Sequence, residues 1–415
     1  MNKKDHKAWK WVKLMDRFRR GNKQLIKDLN EALVIDQVRR FGPISRKDIA
    51  INISLGASTI TYIVDSLLKE KYFMEIGSGI SDYGRKPVLL KFNQRRSYVI
   101  AIKIEENQIN YGKFDLNAKM LDKTSHYFNP KDSIETIFQL MAEKIGQWIA
   151  ADSLICSGIG IAASGLVDQI NKKIIYSPIL EWEEVDFSAL EEQLQVPIYL
   201  ENDANTIAHA ELWDGRGEQF QNFICVTIGV GVGAGIVVKN EIYRGEVGGA
   251  GEIGHIIIQR DGFLCYCGQR GCLEAYTSDR FIMDEALRLK ELKLSPMLNK
   301  MEQLTMDSIL QAADSGDELV QEIYKRVGEN LGIGLKSIVN FFNPGAIVLG
   351  GEGLRAKAYI IPAIEKELED HFFARHSKKL EVILIDLEEN KWLMGAAAMV
   401  ITQLFKEPLY REVNI

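Results

Sequence analysis

Residues 251–274 constrain the fold of this chain more than any other stretch, because they gather three of its five cysteines around one histidine. The side chains of ligand type there are His255, Cys265, Cys267 and Cys272. Three thiolates and one imidazole predict a closed tetrahedral zinc site, which leaves no position for a catalytic water. Glycines at 268 and 271 allow tight turns around such a centre. The alternative is a group of buried, reduced cysteines, which rarely cluster with glycines and a histidine by chance.

The length and the cysteine content bound the class of protein. At 415 residues the chain suits about two or three domains. It has no apolar run of membrane-spanning length and no apolar secretion signal at its N-terminus, so we expect no membrane insertion. Five cysteines, an odd number, predict reduced and metal-binding use in the cytoplasm and not a disulfide framework. Cys156 and Cys225 lie in apolar, strand-like runs and are predicted to be inert core residues.

The net charge of −6 hides an uneven distribution along the chain. Residues 1–91 hold nineteen Lys or Arg and ten Asp or Glu, which gives +9. The remaining residues hold thirty-two basic and forty-seven acidic side chains (51 less 19, and 57 less 10), which gives −15. A basic N-terminal part on an acidic remainder suggests a nucleic-acid-binding module joined to another domain. A charge run alone is more often a solvated surface, so a motif must support this interpretation.

Residues 22–92 carry the pattern of a winged helix-turn-helix, preceded by a basic N-terminal arm at 1–21. Apolar residues at three- and four-residue spacing predict a first helix, which ends at Gly42-Pro43. Ser45 is a good N-cap for a short second helix, and a glycine-containing turn leads to a third. The polar side chains that begin this third helix are predicted to enter the major groove of DNA. They are Ser58, Thr59, Thr61 and Tyr62.

A wing is predicted after these helices, as two short strands around a glycine-rich loop. The segment Gly84-Arg85-Lys86-Pro87 stays extended, because proline keeps its predecessor out of the helical region. Arg85 and Lys86 on such a segment suit a narrow, A·T-rich minor groove, which predicts double-stranded DNA as a partner. The alternatives are a solvated hairpin followed by a linker, or a domain that binds protein. The basic charge, the helix-turn-helix and the wing together favour DNA.

Residues 93–415 alternate strand and helix patterns, which predicts an α/β architecture that opens with three antiparallel strands. A strand at 196–200 runs into Asn202 and Asp203, at the sheet edge where α/β proteins bind ligands. A carboxylate beside an amide can grip vicinal hydroxyls, and Asp203 is able to serve as a general base. The alternative role for Asp203 is the N-cap of the following helix.

Two further features have both functional and structural interpretations. Gly229–Gly235 alternates glycine with small apolar residues, which fits a backbone approach to phosphate or sugar and, nearly as well, a tight β-hairpin. Glu252, His255 and Glu274 bracket the predicted zinc loop. If one imidazole nitrogen holds zinc, the other needs a partner, and a ligand hydroxyl suits it. The metal would then hold sugar-binding carboxylates in place without performing chemistry.

Two motifs resemble the signatures of the ROK family (repressors, open reading frames and kinases). They are Glu201-Asn-Asp-Ala-Asn205 with Glu211, and Gly251-Glu-Ile-Gly-His255 with Cys265-x-Cys267-Gly-x-x-Gly-Cys272-x-Glu274. With its N-terminal domain, the chain resembles ROK transcriptional repressors of the xylose-repressor, NagC and Mlc type. The resemblance implies a two-lobed, actin-like (ribonuclease H-like) α/β body with a monosaccharide between the lobes. It implies sugar contacts at Asn202, Asp203, Glu252, His255 and Glu274, and ligands of a structural zinc at His255, Cys265, Cys267 and Cys272.

One departure from this resemblance concerns phosphoryl transfer. The family's kinases carry an Asp-x-Gly-x-Thr phosphate motif where this chain has Lys103-Ile-Glu105-Glu106-Asn107. Acidic side chains there would repel the phosphates of ATP, so Asp203 is expected to bind sugar without transferring phosphate to it. A second departure, Ile179 after Pro178, leaves the sugar open between xylose and other pentoses or hexoses.

The leading hypothesis is therefore a non-enzymatic repressor of sugar-metabolism genes. A homodimer or higher homo-oligomer would place two recognition helices about 34 Å apart on a palindromic operator. Sugar would change the closure of the lobes, which requires different affinities for the two states. The alternative is a sugar kinase with a regulatory DNA-binding domain, in which Asp203 is the base.

Overall fold

The computed structural model describes residues 22–78, 86–217, 219–370, 372, 380–385 and 390–405. The predicted N-terminal arm and the tip of the predicted wing, which includes Arg85, lie outside the described residues. Within the part of the chain that is described, no helix combines the length and the apolar character needed to cross a membrane.

The described residues up to Phe92 form three helices and a three-stranded sheet in the predicted winged helix-turn-helix arrangement. In chain order they are α1 (Lys23–Phe41), β1 (Ile44–Ser45), α2 (Arg46–Asn52), α3 (Ala57–Lys69), β2 (Phe73–Ser78) and β3 (Val88–Phe92). The sheet has the order β1-β3-β2. The Ser45 hydroxyl caps α2 by accepting a hydrogen bond from the backbone N–H of Asp48 at 3.2 Å, as predicted.

The core of this N-terminal domain continues into the body. Val64 of α3 and Phe92 of β3 belong to one apolar cluster with Ala396, near the C-terminal end of the chain. The ring of Phe405 contacts Phe92 and Tyr72 edge-to-face, at centroid distances of 5.6 and 6.3 Å. Apolar packing therefore fixes the domain against the first lobe of the body.

The first lobe contains a five-stranded mixed sheet and a smaller antiparallel one. Its elements are β4 (Ser97–Ile104), β5 (Gln108–Asp115), β6 (Met120–Tyr127), α4 (Ile134–Ala151), β7 (Ile155–Ala163), β8 (Leu166–Asp168), β9 (Lys173–Ser177), β10 (Trp182–Asp186), α5 (Ser188–Leu194) and β11 (Ile198–Asn202). The larger sheet has the order β11-β7-β4-β5-β6, with β7 parallel to both β4 and β11, and β5 antiparallel to both β4 and β6. The predicted opening of three antiparallel strands is confirmed.

The second lobe repeats this plan. Its elements are β12 (Phe223–Ile228), β13 (Val232–Val238), β14 (Glu241–Tyr243), α7 (Asp279–Glu291), α8 (Met306–Asp314), α9 (Glu318–Phe342), β15 (Ala346–Gly350), α10 (Lys357–Leu368) and β16 (Glu381–Leu384). Its sheet has the order β14-β13-β12-β15-β16, in which three antiparallel strands are again extended by parallel ones. The two-lobed α/β body predicted from the resemblance is confirmed.

Two helices, α6 (Asp203–Asp214) and α11 (Asn390–Leu404), connect the two lobes. α6 packs on β12 and β13 of the second lobe, whereas α11 packs on β4, β5 and β7 of the first. The two helices also pack closely against each other. A Cβ at Gly395 of α11 would collide with the carbonyl oxygen of Thr206 in α6, so only glycine permits this approach.

Candidate functional site

Asn202 and Asp203 lie where β11 ends and α6 begins, as predicted. Asn202 caps α6, because its Oδ1 accepts hydrogen bonds from the backbone N–H groups of Ala204 at 2.9 Å and Asn205 at 3.4 Å. Its Nδ2 donates to the carbonyl oxygen of Gly165 at 2.9 Å. The alternative role of Asp203 as the N-cap is therefore wrong. The cap is the side chain of Asn202, and the Asp203 side chain remains 27% exposed.

Asp203 is paired with a lysine from the middle of the first sheet. The ammonium of Lys103, on β4, lies 2.7 Å from Oδ2 of Asp203. The Lys103 side chain is only 9% exposed, and its Nζ lies over the ring of Trp392 at 5.6 Å from the centroid. In the sequence, Lys103 is notable only because it stands where the kinase motif begins with an aspartate. The structure shows that Lys103 forms an ion pair with Asp203, a residue predicted to bind sugar.

Glu252 lies within electrostatic range of both Asp203 and Glu274, and we call these three residues the carboxylate cluster. Burial raises the pKa of Glu252, and the charges of Asp203 and Glu274 raise it further against the opposing effect of His255. Burial likewise raises the pKa of Glu274, although its Oε2 accepts a hydrogen bond from the backbone N–H of Val232 at 2.9 Å. Residues of both lobes therefore converge on one negatively charged site.

The four predicted metal ligands come together beside this cluster. The ligand atoms of His255, Cys265, Cys267 and Cys272 all lie within 4.8 Å of one another. Sγ of Cys267 is 3.7 Å from Sγ of Cys272, and Sγ of Cys265 is 3.6 Å from Nδ1 of His255. A tetrahedron with metal–sulfur bonds of about 2.3 Å and a metal–nitrogen bond of about 2.0 Å has S···S edges of about 3.8 Å and an S···N edge of about 3.5 Å. The site can therefore hold a metal with little movement.

The second nitrogen of His255 has a partner that sequence analysis missed. His255 Nε2 lies 3.2 Å from the hydroxyl of Tyr266, which stands between two of the cysteines. A ligand hydroxyl was expected in this place, so the structure revises that expectation. An outer partner of this kind orients a metal-bound imidazole. Burial raises the pKa of the Tyr266 hydroxyl, and the nearby charges of Glu274 and Glu252 add to the effect. Tyr266 thus lies between the metal ligands and the carboxylate cluster.

A buried carboxylate next to Asn202 fixes the base of the site. Glu201 is 1% exposed, and Arg244 donates to its Oε2 from Nε at 2.9 Å and from Nη2 at 2.7 Å. Asn205 donates to Oε1 at 3.0 Å, and Gln169 also donates to this carboxylate. The network joins the first lobe to the segment after β14 of the second. The signal in the sequence was a charged residue in an apolar strand, which requires buried partners.

Carboxylates also surround the glycine-rich turn between β12 and β13. The β-hairpin interpretation of Gly229–Gly235 is confirmed, since β12 pairs antiparallel with β13 across it. A Cβ at Gly229 would lie 2.7 Å from Oε2 of Glu352. Burial raises the pKa of Asp279, and the charge of Glu352 raises it further. Two carboxylates beside this turn disfavour a bound phosphate.

The predicted DNA-contacting side chains lie together on one face of α3. Ser58, Thr59, Thr61 and Tyr62 are all exposed, whereas Ile60, Ile63, Val64 and Leu67 on the opposite face are buried. The Tyr62 side chain is exposed despite its size, at 62%. Lys86 is exposed as well, and Arg85 lies outside the described residues. α3 therefore presents a polar face with one aromatic side chain to a partner.

Comparison with known proteins agrees with this arrangement. The family model described as the ROK family matches residues 99–403. The xylose repressor of Bacillus subtilis (strain 168) is 31% identical over 388 residues, which cover 92% of this chain and 97% of that repressor. The similarity to this repressor therefore extends over both the N-terminal domain and the body.

Two solved structures match different shares of this chain. A ROK family transcriptional regulator, described as a homolog of the E. coli MLC protein, is 25% identical with a TM-score of 0.83, covering 93% of this chain and 98% of its own. A ROK family glucokinase from Streptomyces griseus, in complex with glucose and AMPPNP, is 26% identical with a TM-score of 0.62. It covers 73% of this chain and 99% of its own, a share that the body alone can account for.

Proposed function

Because the chain belongs to the ROK family, we propose that it is a sugar-responsive transcriptional repressor that acts in the cytoplasm. The observation that carries the proposal is that one chain combines two separate surfaces. One is the exposed polar face of α3 in the N-terminal domain, and the other is the carboxylate cluster in the body. The similarity to a xylose repressor over nearly the whole chain supports the same function.

The proposed DNA-binding surface consists of α3 and the wing. Ser58, Thr59, Thr61 and Tyr62 contact base edges in the major groove, while Lys86 and Arg85 contact the adjacent minor groove. The Oγ1 of Thr61 donates to the carbonyl oxygen of Ala57 at 2.9 Å, which leaves its oxygen lone pairs and its methyl group to face DNA. A homodimer, or a higher homo-oligomer built from dimers, presents two such helices to the half-sites of a palindromic operator.

The effector is a monosaccharide, xylose or another pentose or hexose, bound between the lobes by Asn202, Asp203, Glu252, His255 and Glu274. Carboxylates accept hydrogen bonds from sugar hydroxyls, and partial burial strengthens such bonds. Asn202 contributes chiefly by fixing the start of α6, since its Oδ1 and Nδ2 already have protein partners. His255 likewise contributes chiefly by holding the loop, since its Nδ1 faces Cys265 and its Nε2 contacts Tyr266. Asp203 and Glu252 are therefore the principal acceptors.

The metal in the cysteine loop is a structural zinc held by His255, Cys265, Cys267 and Cys272. The measured sulfur–sulfur and sulfur–nitrogen distances support tetrahedral coordination by these four side chains. Zinc supplies a rigid centre for the loop when bound. Glu274 follows the last cysteine by two residues, so the loop determines where that carboxylate lies.

Sugar binding reaches the DNA-binding domain through α6 and α11. α6 begins at Asp203 in the carboxylate cluster, and Trp213 in its last turn contacts Arg39 of α1. α11 begins beside Lys103, through Trp392, and Phe405 just after its end contacts Tyr72 and Phe92. A shift of either helix on lobe closure therefore moves the domain that binds DNA. Sugar drives that shift only if it binds the two states with different affinity.

A thermal-shift panel of pentoses, hexoses and amino sugars on the full chain is the first test of this proposal. The expected result is a stabilised melting transition with one sugar class. The same sugar should then change the affinity of the protein for operator duplexes selected from random DNA. No stabilisation by any sugar, together with no selected duplex, would contradict the proposal.

A sugar kinase is the second candidate function, favoured by the similarity of the body to a glucokinase. Its base would be Asp203. The pairing of Lys103 with Asp203, and the position of Glu352 beside the glycine-rich turn, weigh against a bound nucleotide. A coupled ADP-release assay over the same sugars distinguishes the candidates, because sustained, sugar-dependent ADP release requires a kinase.

A further inference from the structure

Lys103 has an unusual position for a charged side chain. It lies near the end of β4, where every residue of the strand is buried, and its own side chain is 9% exposed. Burying an ammonium group is unfavourable unless a counter-ion and hydrogen-bond acceptors compensate for the lost water. The residues that contact the Lys103 ammonium therefore indicate the role of this side chain.

Those partners are a carboxylate and an aromatic face. Asp203 Oδ2 accepts from the ammonium at 2.7 Å, and the Trp392 ring lies 5.6 Å from Nζ. The other carboxylate oxygen, Oδ1 of Asp203, accepts from the backbone N–H of Ala204 at 2.9 Å. Both oxygens of Asp203 are thus held in place, one by a cation and one by a helix amide. The side chain retains 27% exposure, which leaves room for a ligand hydroxyl.

The Lys103–Asp203 pair also affects the charge of the carboxylate cluster. The charges of Asp203 and Glu274 both increase the cost of ionising Glu252. In the described part of the chain, the Lys103–Asp203 contact is the ion pair that links this cluster to a lysine or an arginine. Lys103 therefore both orients Asp203 and offsets part of the negative charge.

We propose that Lys103 is a positioning residue of the effector site, which fixes the Asp203 carboxylate so that it accepts a hydrogen bond from a hydroxyl of a neutral monosaccharide. This inference rests on the proposed function. Because the cation is a side chain of the protein, no dissociable cation is needed to hold the Asp203 carboxylate.

The test is a double-mutant cycle on sugar affinity in the full-length protein. D-xylose, D-glucose and N-acetyl-D-glucosamine are titrated calorimetrically against wild type, and the sugar that binds is used throughout. Lys103→Met should raise the Kd about tenfold or more, the usual effect of losing a charged hydrogen bond. Lys103→Arg, which keeps the charge, should recover much of the affinity. Lys103→Met combined with Asp203→Asn should bind no more weakly than Asp203→Asn alone, because Lys103 acts through that carboxylate.

A matched control removes a lysine–carboxylate pair elsewhere. Lys336 lies 3.1 Å from Glu367 in the second lobe, so Lys336→Met should leave the Kd unchanged. A Lys103→Met protein that binds sugar like wild type overturns the inference and leaves the proposed function standing. If wild type binds none of these three sugars and no other sugar of the thermal-shift panel, the proposed sugar response fails and takes the inference with it. If Lys103→Met does not fold, the double variant decides, and affinity below that of Asp203→Asn would refute the role assigned to Lys103.

Discussion

The guanidinium of Arg39 lies over the indole ring of Trp213, with its central carbon 4.4 Å from the ring centroid. Arg39 belongs to α1 of the N-terminal domain, and Trp213 lies in the last turn of α6. The first residue of α6 is Asp203, so one rigid helix separates this contact from the carboxylate cluster. The contact therefore joins the N-terminal domain to the helix that begins at the proposed sugar site.

Replacing Trp213 with alanine should weaken this connection without affecting sugar binding. A cation–π contact contributes about 0.5–2 kcal/mol, so the sugar-induced change in operator affinity should shrink by about 2- to 30-fold. The Kd for sugar, measured calorimetrically, should stay close to that of wild type. Arg326→Met is the control, because it removes a cation–π contact with Phe281 inside the second lobe. An unchanged operator response in Trp213→Ala would exclude α6 as the connection.

Replacing Cys267 with serine should release zinc. A hydroxyl is a poor zinc ligand at neutral pH, so metal content measured by mass spectrometry should fall from about one per chain to a small fraction. Sugar affinity should fall as well, because the loop no longer fixes Glu274. Cys156→Ala is the control, since Cys156 is buried far from the cluster in β7. Full zinc occupancy in Cys267→Ser would refute this ligand set.

Replacing Glu252 with glutamine should raise the Kd for sugar by about 10- to 100-fold. The change keeps the shape of the side chain but removes a charged acceptor, whose hydrogen bonds contribute about 1.5–3 kcal/mol. Glu246→Gln alters an exposed glutamate of the preceding segment and should have no effect. Equal affinities in both variants would remove Glu252 from the site.

The same residue predicts how sugar binding depends on pH. Burial, together with the charges of Asp203 and Glu274, raises the pKa of Glu252, so it takes up a proton at a higher pH than an exposed glutamate does. Protonation removes its acceptor charge, so as pH is lowered sugar affinity should begin to fall at a higher pH than the titration of an exposed glutamate would give. Glu252→Gln cannot titrate and should show a flatter profile. Identical profiles would mean that another group controls the pH dependence.

Replacing Lys86 with alanine should weaken operator binding to a similar extent on all sequences. Lys86 is exposed two residues before the wing strand β3, where we expect its side chain to reach a phosphate or the minor groove. Loss of one cationic contact should reduce the slope of log affinity against log salt by about one. Sugar affinity should not change. Lys325→Ala, an exposed lysine in α9 of the second lobe, should leave DNA binding intact.

Much of the fold could be predicted because the signals are local. Apolar spacing predicted that α1 ends at Gly42-Pro43, and the Ser45 cap predicted where α2 begins. The strands β8–β10 and β16 have only three to five residues each, which is too short for apolar periodicity to predict them. Pro362 lies inside α10, although a proline in a sequence normally signals the end of a helix.

The sequence by itself predicted the cluster of one histidine and three cysteines, the exposed polar face of α3 and the family, because closely spaced side chains and helical periodicity carry that information. Only the tertiary structure decided which charges meet. Lys103 and Asp203 are one hundred residues apart in the chain, and Arg39 and Trp213 are still further apart. No spacing rule connects such residues, since their contact depends on how strands and helices pack. The sequence shows that Lys103 departs from the phosphate motif of the kinases. That Lys103 pairs with Asp203 is seen only in the folded protein.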